Sequence, residues 1–370
     1  MTISRPAGPR PLAGPETEAP MIRVLVVDDS AYMRFTIGKF LGETPGLTVV
    51  GAARDGREAL DLIPQLKPDV ITLDVEMPRL DGLSTLREIM ATQPRPVIML
   101  SSLTTDGARE TVQALTLGAV DFVAKPVAKA NMRTVMDEVV AKVRAAARAR
   151  VAPPSAAPAR PARPFSAPAH HANGSKSTRR LTPQDKVVVI GSSTGGPRAL
   201  NTVIPELAAG FPAAVLIVQH MPVGFTRSLA DRLDQTAALR VKEAEPGDAL
   251  EVGQILLAPG GFHMTLDAQD RIALNQNPTV HGVRPAIDVT MTSVAQRYRS
   301  ATIGVVLTGM GRDGTNGALL IRGAGGRVIA EAESSCVVWG MPRSVVEAEA
   351  ADVVVPLTEV GRALERLVKE

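Results

Sequence analysis

The sequence predicts an α/β protein of two doubly wound parallel-sheet domains joined by a disordered linker. Three observations lead there. Short β-branched runs alternate with amphipathic stretches across residues 21–145, and the same alternation resumes across 185–370. Between them, residues 146–184 carry seven prolines, many Ala, Arg and Ser, and only Val151, Phe165 and Leu181 as large apolar residues. Such a segment buries too little surface to offset its ordering entropy. A chain of 370 residues is long enough for two separate cores.

In the first region the candidate strands are 22–27, 48–52, 69–73, 96–100 and 120–124, with helical stretches between them and from about 129 onward. In the second they are 187–191, 214–219, 254–258, 303–308, 326–330 and 352–355. Residues 1–20 hold five prolines and no apolar core, so they read as a disordered lead rather than a secretory signal. No apolar run is long enough to span a bilayer. The single cysteine, Cys336, excludes an internal disulfide and a cysteine-based zinc site, and fits a reducing cytoplasm. Net charge is +3, but seven basic residues and no acidic ones fall in the linker, which leaves the rest of the chain net acidic. No helix-turn-helix candidate follows, so specific nucleic-acid binding is not expected.

Chemistry-bearing residues gather at strand ends. Asp28 and Asp29 end the first strand, Asp74 the third, Ser101 the fourth and Lys125 the fifth. In a parallel sheet these ends share one edge. Three carboxylates there repel unless a cation lies among them, and Mg²⁺ suits such an oxygen-rich site. A lysine and a hydroxyl beside them suit phosphoryl oxygens. With Met77-Pro78-x-x-Asp81-Gly82 and Gly118-Ala119-x-Asp121-Phe122-x-x-Lys125-Pro126, this set resembles the receiver domain of two-component response regulators. The resemblance implies a flavodoxin-like domain with Asp74 as phosphoacceptor. It implies Mg²⁺ held by Asp28, Asp29, Asp74 and the Glu76 backbone carbonyl, with Ser101 and Phe122 as a switch pair and Lys125 beside the phosphoryl group.

The second region opens with Val187-Val188-Val189-Ile190-Gly191-Ser192-Ser193-Thr194-Gly195-Gly196-Pro197. A buried strand runs into a glycine turn and a helix start, which lifts Ser193 out of the sheet near backbone N–H groups. The Gly191-x-Ser193-x-Gly195 spacing is that of a nucleophile elbow. A nucleophile needs a base, and the region has three histidines, His220, His263 and His281. His220 ends the run Ala214–Gln219, a strand that a βαβ connection places near the first, which favours it. Asp313, in Leu307-Thr308-Gly309-Met310-Gly311-Arg312-Asp313-Gly314, is the candidate orienting carboxylate, though it equally fits a helix cap. The order Ser…His…Asp disfavours the α/β-hydrolase fold, in which Asp precedes His.

The motifs GSSTGGP, VQHMP, LAPGGFHM, RPAIDV, LTGMGRDG and WGMPRS resemble the catalytic domain of the CheB family, chemotaxis protein-glutamate methylesterases and protein-glutamine glutaminases. A receiver joined by a linker to such a domain is that family's architecture. The resemblance implies a Rossmann-like three-layer methylesterase domain with Ser193 as nucleophile, His220 as base and Asp313 as its orienter. Thr194 and the Met310 N–H would support the oxyanion, and no cofactor would serve the ester chemistry. It further implies a histidine kinase as phosphodonor and the cytoplasmic helices of methyl-accepting chemoreceptors as substrate. Two departures stand out. The stretch before Arg284 reads Val280-His281-Gly282-Val283, where the family more often places a histidine directly before the arginine. Glu349 occupies a spot that is often glycine. The competing expectation is a non-enzymatic response regulator with a receptor-binding output domain.

Overall fold

The computed structural model describes residues 21–125, 132–149, 178–182 and 185–370. The candidate lead 1–20, most of the candidate linker and Pro126 lie outside the described residues. The first domain alternates β1 (Ile22–Val27), α1 (Ala31–Gly42), β2 (Leu47–Ala53), α2 (Gly56–Leu66), β3 (Val70–Asp74), α3 (Gly82–Thr92), β4 (Val97–Ser101), α4 (Thr105–Leu117), β5 (Asp121–Ala124) and α5 (Met132–Ala146). The sheet is parallel in the order β2-β1-β3-β4-β5. β3 and β4 are buried along their whole length, as strands covered by helices on both faces must be. Helix starts follow side-chain caps: Ser30, Asp55, Asp81 and Thr104 each accept a backbone N–H from the first turn of α1, α2, α3 and α4. The Asp81-Gly82 pair thus has a local cause. Asp81 caps α3, and a Cβ on Gly82 would lie 2.0 Å from the Asp74 carbonyl.

The second domain contains β6 (Arg179–Arg180), β7 (Lys186–Ser192), α6 (Gly196–Val203), β8 (Ala213–Gln219), α7 (Phe225–Thr236), β9 (Arg240–Glu243), β10 (Glu251–Val252), β11 (Gln254–Leu257), β12 (His263–Leu266) and β13 (Ile272–Asn275). It continues through α8 (Ile287–Tyr298), β14 (Thr302–Val306), α9 (Thr315–Gly323), β15 (Arg327–Glu331), α10 (Met341–Glu347), β16 (Val353–Val355) and α11 (Leu357–Leu367). Seven parallel strands run in the order β16-β15-β14-β7-β8-β11-β9. The chain winds outward from β7 in one direction through β8 and β11, and in the other through β14, β15 and β16. The reversal opens a crevice at the carboxyl ends of β14, β7 and β8.

Both sheets and all eleven expected strands are present. Unanticipated are the edge strand β9, the antiparallel hairpin β12–β13 and the two-residue pair β6–β10. β9 reads Arg-Val-Lys-Glu, and an edge strand half in solvent carries too few apolar residues to show a strand pattern.

The domains share apolar surface. Ala108, Val112 and Leu115 of α4 and Phe122 of β5 belong to the same buried cluster as Ala199, Leu200, Phe225 and Leu229 of the second domain.

Candidate functional site

Ser193 follows the last residue of β7, His220 follows β8, and Asp313 lies in the loop after β14. Because β14, β7 and β8 are consecutive in one parallel sheet, all three residues stand at its carboxyl edge. The nucleophile turn is tightly defined. Gly195 has φ +78, and a Cβ on Gly196 would meet Gln219 Oε1 at 2.0 Å. Gln219 accepts from Ser192 Oγ at 2.6 Å and donates to the Ser193 carbonyl at 3.0 Å. It fixes the turn from the VQHMP motif, and nothing in the sequence pattern marks that role for the glutamine.

His220 Nε2 and Asp313 Oδ2 are 2.8 Å apart. Asp313 is 2% exposed and also accepts the backbone N–H groups of Ile287, Asp288 and Gly314. Burial alone would raise its carboxyl, but the His220 imidazole and those N–H groups outweigh burial and hold it below the usual carboxylate range. Asp313 is therefore an ionised hydrogen-bond acceptor rather than a cap for α9, whose N-cap is Gly314 without a side-chain bond. The backbone N–H groups of Thr194 and Met310 make no hydrogen bond among the described residues.

Asp288, from the RPAIDV motif, lies next to this pair. It accepts from Gly314 and Gly317 N–H through Oδ1, and from Asn316 and His281 Nε2 through Oδ2. His281, Asp288 and Asp313 could bring ligand atoms within 4.8 Å of one another. Each carboxylate oxygen there already accepts hydrogen bonds, so the group extends the hydrogen-bond network and leaves no lone pair seeking a metal. His263 is also structural: Nε2 faces the Pro278 carbonyl at 3.1 Å and Nδ1 accepts from Ala286 N–H at 3.2 Å. Both sequence departures fall in left-handed backbone, at φ +54 for His281 and +54 for Glu349. That is the conformation in which glycine is favoured at position 349.

The receiver edge differs in the one respect that matters for a cation. Asp28, Asp29 and Asp74 bring carboxylate oxygens within 4.8 Å, and buried Asp28 Oδ2 accepts no hydrogen bond among the described residues. Lys125 Nζ lies 2.6 Å from Asp74 and 3.0 Å from Asp28 Oδ2, an ion-pair contact without hydrogen-bond geometry in the second case. The Asp74 carboxyl is pushed up to about 6, chiefly by burial and further by Asp28, against the pull of Lys125. Clustered carboxylate oxygens, one of them met by nothing but the Lys125 ammonium among the described residues, and a carboxylate whose ionisation is resisted fit a divalent cation. Ser101 Oγ is turned onto the Gly107 carbonyl at 3.1 Å.

The two sites meet. Gly195 N–H donates to the Val120 carbonyl of the receiver at 3.1 Å. Thr194 Oγ1 donates to Asp121 Oδ2, and Asp121 also faces Lys142 Nζ at 3.2 Å. Phe122 stacks on Phe225 with ring centroids 4.5 Å apart. Thr194 is expected to support the oxyanion, and its hydroxyl is here bonded to the other domain. No sequence pattern could have shown this, because Asp121 and Thr194 are 73 positions apart.

A phosphoacceptor-type domain resting on a serine-bearing α/β domain defines a class: a response regulator whose output domain carries hydrolase-type residues. Residues 24–137 match the response regulator receiver domain, and residues 188–364 match the CheB methylesterase family. A protein-glutamate methylesterase/protein-glutamine glutaminase of Symbiobacterium thermophilum is 54% identical over 359 residues, spanning 94% of this chain and 98% of that one. One from Thermotoga maritima is 46% identical over 354 residues, spanning 94% and 99%. The crystal structure of the Thermotoga maritima CheB methylesterase catalytic domain aligns at 51% identity and a TM-score of 0.49, covering 50% of this chain and 99% of that one. The chain belongs to the CheB family. No helix among the described residues is long and apolar enough to cross a membrane.

Proposed function

We propose that this protein is a phosphorylation-controlled hydrolase that removes methyl esters from receptor glutamates and deamidates receptor glutamines. Its substrates are the cytoplasmic helices of methyl-accepting chemoreceptors, its phosphodonor is a histidine kinase, and it works in the cytoplasm. The observation that carries the reading is the placement of Ser193, His220 and Asp313 on three neighbouring strand ends, with the imidazole bonded to an ionised carboxylate.

Asp313 accepts from Nε2–H, which leaves Nδ1 of His220 as the base. Nδ1 takes the Ser193 proton as Oγ attacks the γ-carbonyl of a methylated glutamate. The N–H groups of Thr194 and Met310 receive the oxyanion, aided by the amino end of α6. The imidazolium returns its proton to the departing oxygen, methanol leaves, and water attacks the acyl-serine by the reverse path to give glutamate. With glutamine the leaving group is ammonia.

Asp28, Asp29, Asp74 and the Glu76 carbonyl would hold Mg²⁺, which when bound neutralises charge at the phosphoacceptor. Asp74 takes the phosphoryl group, and Lys125 pairs with its oxygens. Ser101 then leaves the Gly107 carbonyl for the phosphoryl group, and Phe122 moves inward. That motion breaks the stack on Phe225, and with it the contacts of Val120 and Asp121 to the nucleophile turn. The test is methanol release from a methylated receptor fragment, with and without acetyl phosphate. Wild type should be active and stimulated, Ser193→Ala inactive, and Asp74→Asn active at the basal rate but unresponsive. Methanol release by Ser193→Ala equal to wild type would refute the assignment, as would stimulation of Asp74→Asn.

A further inference from the structure

Glu331 is the last residue of β15, one strand beyond β14, and is fully buried. Oε2 accepts the Thr308 N–H at 2.8 Å and Oε1 accepts from Ser335 Oγ at 2.9 Å. No cation pairs with it among the described residues. A buried carboxyl without a counter-ion is costly, and the mechanism above does not use it.

Its partner explains its placement. Thr308 joins three other backbone groups and one carboxylate through its own polar atoms. Its carbonyl accepts Ser193 N–H at 3.0 Å, and its Oγ1 donates to the Thr194 carbonyl at 3.0 Å. The same Oγ1 accepts Val338 N–H at 2.9 Å, and its N–H goes to Glu331. The next residue is in direct contact with the nucleophile: a Cβ on Gly309 would lie 2.7 Å from Ser193 Cβ. Two residues beyond Thr308 is Met310. Thr308 therefore grips the serine from behind and begins the loop that carries an oxyanion donor and Asp313. Glu331 is the acceptor that fixes Thr308.

We infer that Glu331 is a positioning residue for the ester hydrolysis, acting through Thr308 to hold the Ser193 turn and the Met310 N–H in register. It touches no substrate. It supplies a fixed acceptor for a buried N–H that has no other partner among the described residues. A misplacement of about 1 Å at such a turn costs on the order of 100-fold in rate. Burial pushes the Glu331 carboxyl up. The neutral side chain still offers an oxygen to Thr308, and glutamine offers the same oxygen in the same place. The role asks for an acceptor and not for a charge.

This inference rests on the proposed hydrolase reading, and the experiment separates the two. Methanol release by the full-length wild type tests the reading; ratios among active variants test Glu331. Glu331→Gln should keep kcat within about 3-fold of wild type, because its amide oxygen accepts from Thr308. Glu331→Met, and Glu331→Asp if the former does not fold, should lower kcat about 10- to 100-fold with KM within about 3-fold. Ser335→Ala is the structural control. It removes the Ser335 hydrogen bond to Glu331 and the acceptor for Leu357 N–H at 2.9 Å, so it should lower thermal stability yet leave kcat unchanged. A wild-type kcat in the folded Met or Asp variant would overturn the inference. So would a loss in Glu331→Gln as large as in Glu331→Met, a loss confined to KM, or an equal loss of kcat in Ser335→Ala.

Discussion

Removing the Asp121 carboxylate should switch on the unphosphorylated enzyme. Asp121 makes three side-chain contacts, and only one crosses between domains: Oδ2 accepts from Thr194 Oγ1. The other two, from Phe122 N–H at 2.8 Å and Lys142 Nζ at 3.2 Å, stay within the receiver. Lys142 keeps Glu138 at 2.8 Å in an Asp121→Ala variant, so it is not stranded. The lost interdomain bond has a charged acceptor and is buried, which makes it worth about 1.5–3 kcal/mol. That weakens docking about 10- to 100-fold. In the docked form Gly195 N–H and the Thr194 hydroxyl are bonded to the receiver, so every molecule that undocks regains them. Basal methanol release should rise toward the level that acetyl phosphate produces in wild type, and acetyl phosphate should add little more. Small-angle scattering should show the larger radius of gyration of separated domains without phosphodonor. A folded Asp121→Ala protein with wild-type basal activity, full stimulation and unchanged scattering would sink the idea that these contacts hold the enzyme in check.

Glu331→Gln has a pH signature in stability. Burial raises the Glu331 carboxyl above its ordinary value of 4.5, so the fold favours the protonated form. That contribution is fully present below about pH 4.5 and is lost as pH rises through the folded value. Among the described residues, only Ser335, Thr308 and Cys336 face the group with polar atoms. The Tm of Glu331→Gln relative to wild type should therefore rise from pH 5 to pH 8; a constant or shrinking difference would contradict it. Glu349→Gly should stabilise the protein by about 0.5–1 kcal/mol, since relief of left-handed strain exceeds the entropy cost of glycine. The Arg322 contact there is to the Glu349 carbonyl and survives the change; denaturant unfolding measures the outcome.

What was readable in the sequence follows from range. The β-branched runs that became β3, β4, β7 and β8 are buried on both faces, and a covered strand announces itself in composition. Because parallel strands share a carboxyl edge, residues ending those runs could be placed together, which assembled Asp28 with Asp74 and Ser193 with His220. Asp313 was harder, since a carboxylate before a helix is also what a cap looks like. The bonds from Ile287 and Asp288 N–H decide between the two, and they join segments 25 and 26 positions away. Glu331 left no signal: a glutamate at the end of an apolar strand reads as the point where the chain returns to solvent. Its burial depends on α11 and the 332–341 segment folding over it, as the Leu357–Ser335 bond shows.

The nucleophile turn is held from two sides that use different atoms. From within, Thr308 takes Ser193 N–H and the Thr194 carbonyl. From outside, the receiver takes Gly195 N–H and the Thr194 hydroxyl. Undocking therefore releases the outer groups while the inner bonds keep the serine in place. On this arrangement the receiver changes how many molecules are competent, and Glu331 changes how well each competent molecule works. The two effects should multiply: the fold-change of an Asp121→Ala, Glu331→Met double variant should equal the product of the single fold-changes. Sites bridged by one residue ordinarily depart from additivity by 0.5 kcal/mol or more, about 2-fold or greater. A double variant with more activity than that product would mean that the receiver acts by distorting the same inner bonds. In that case docking strains the turn instead of masking it.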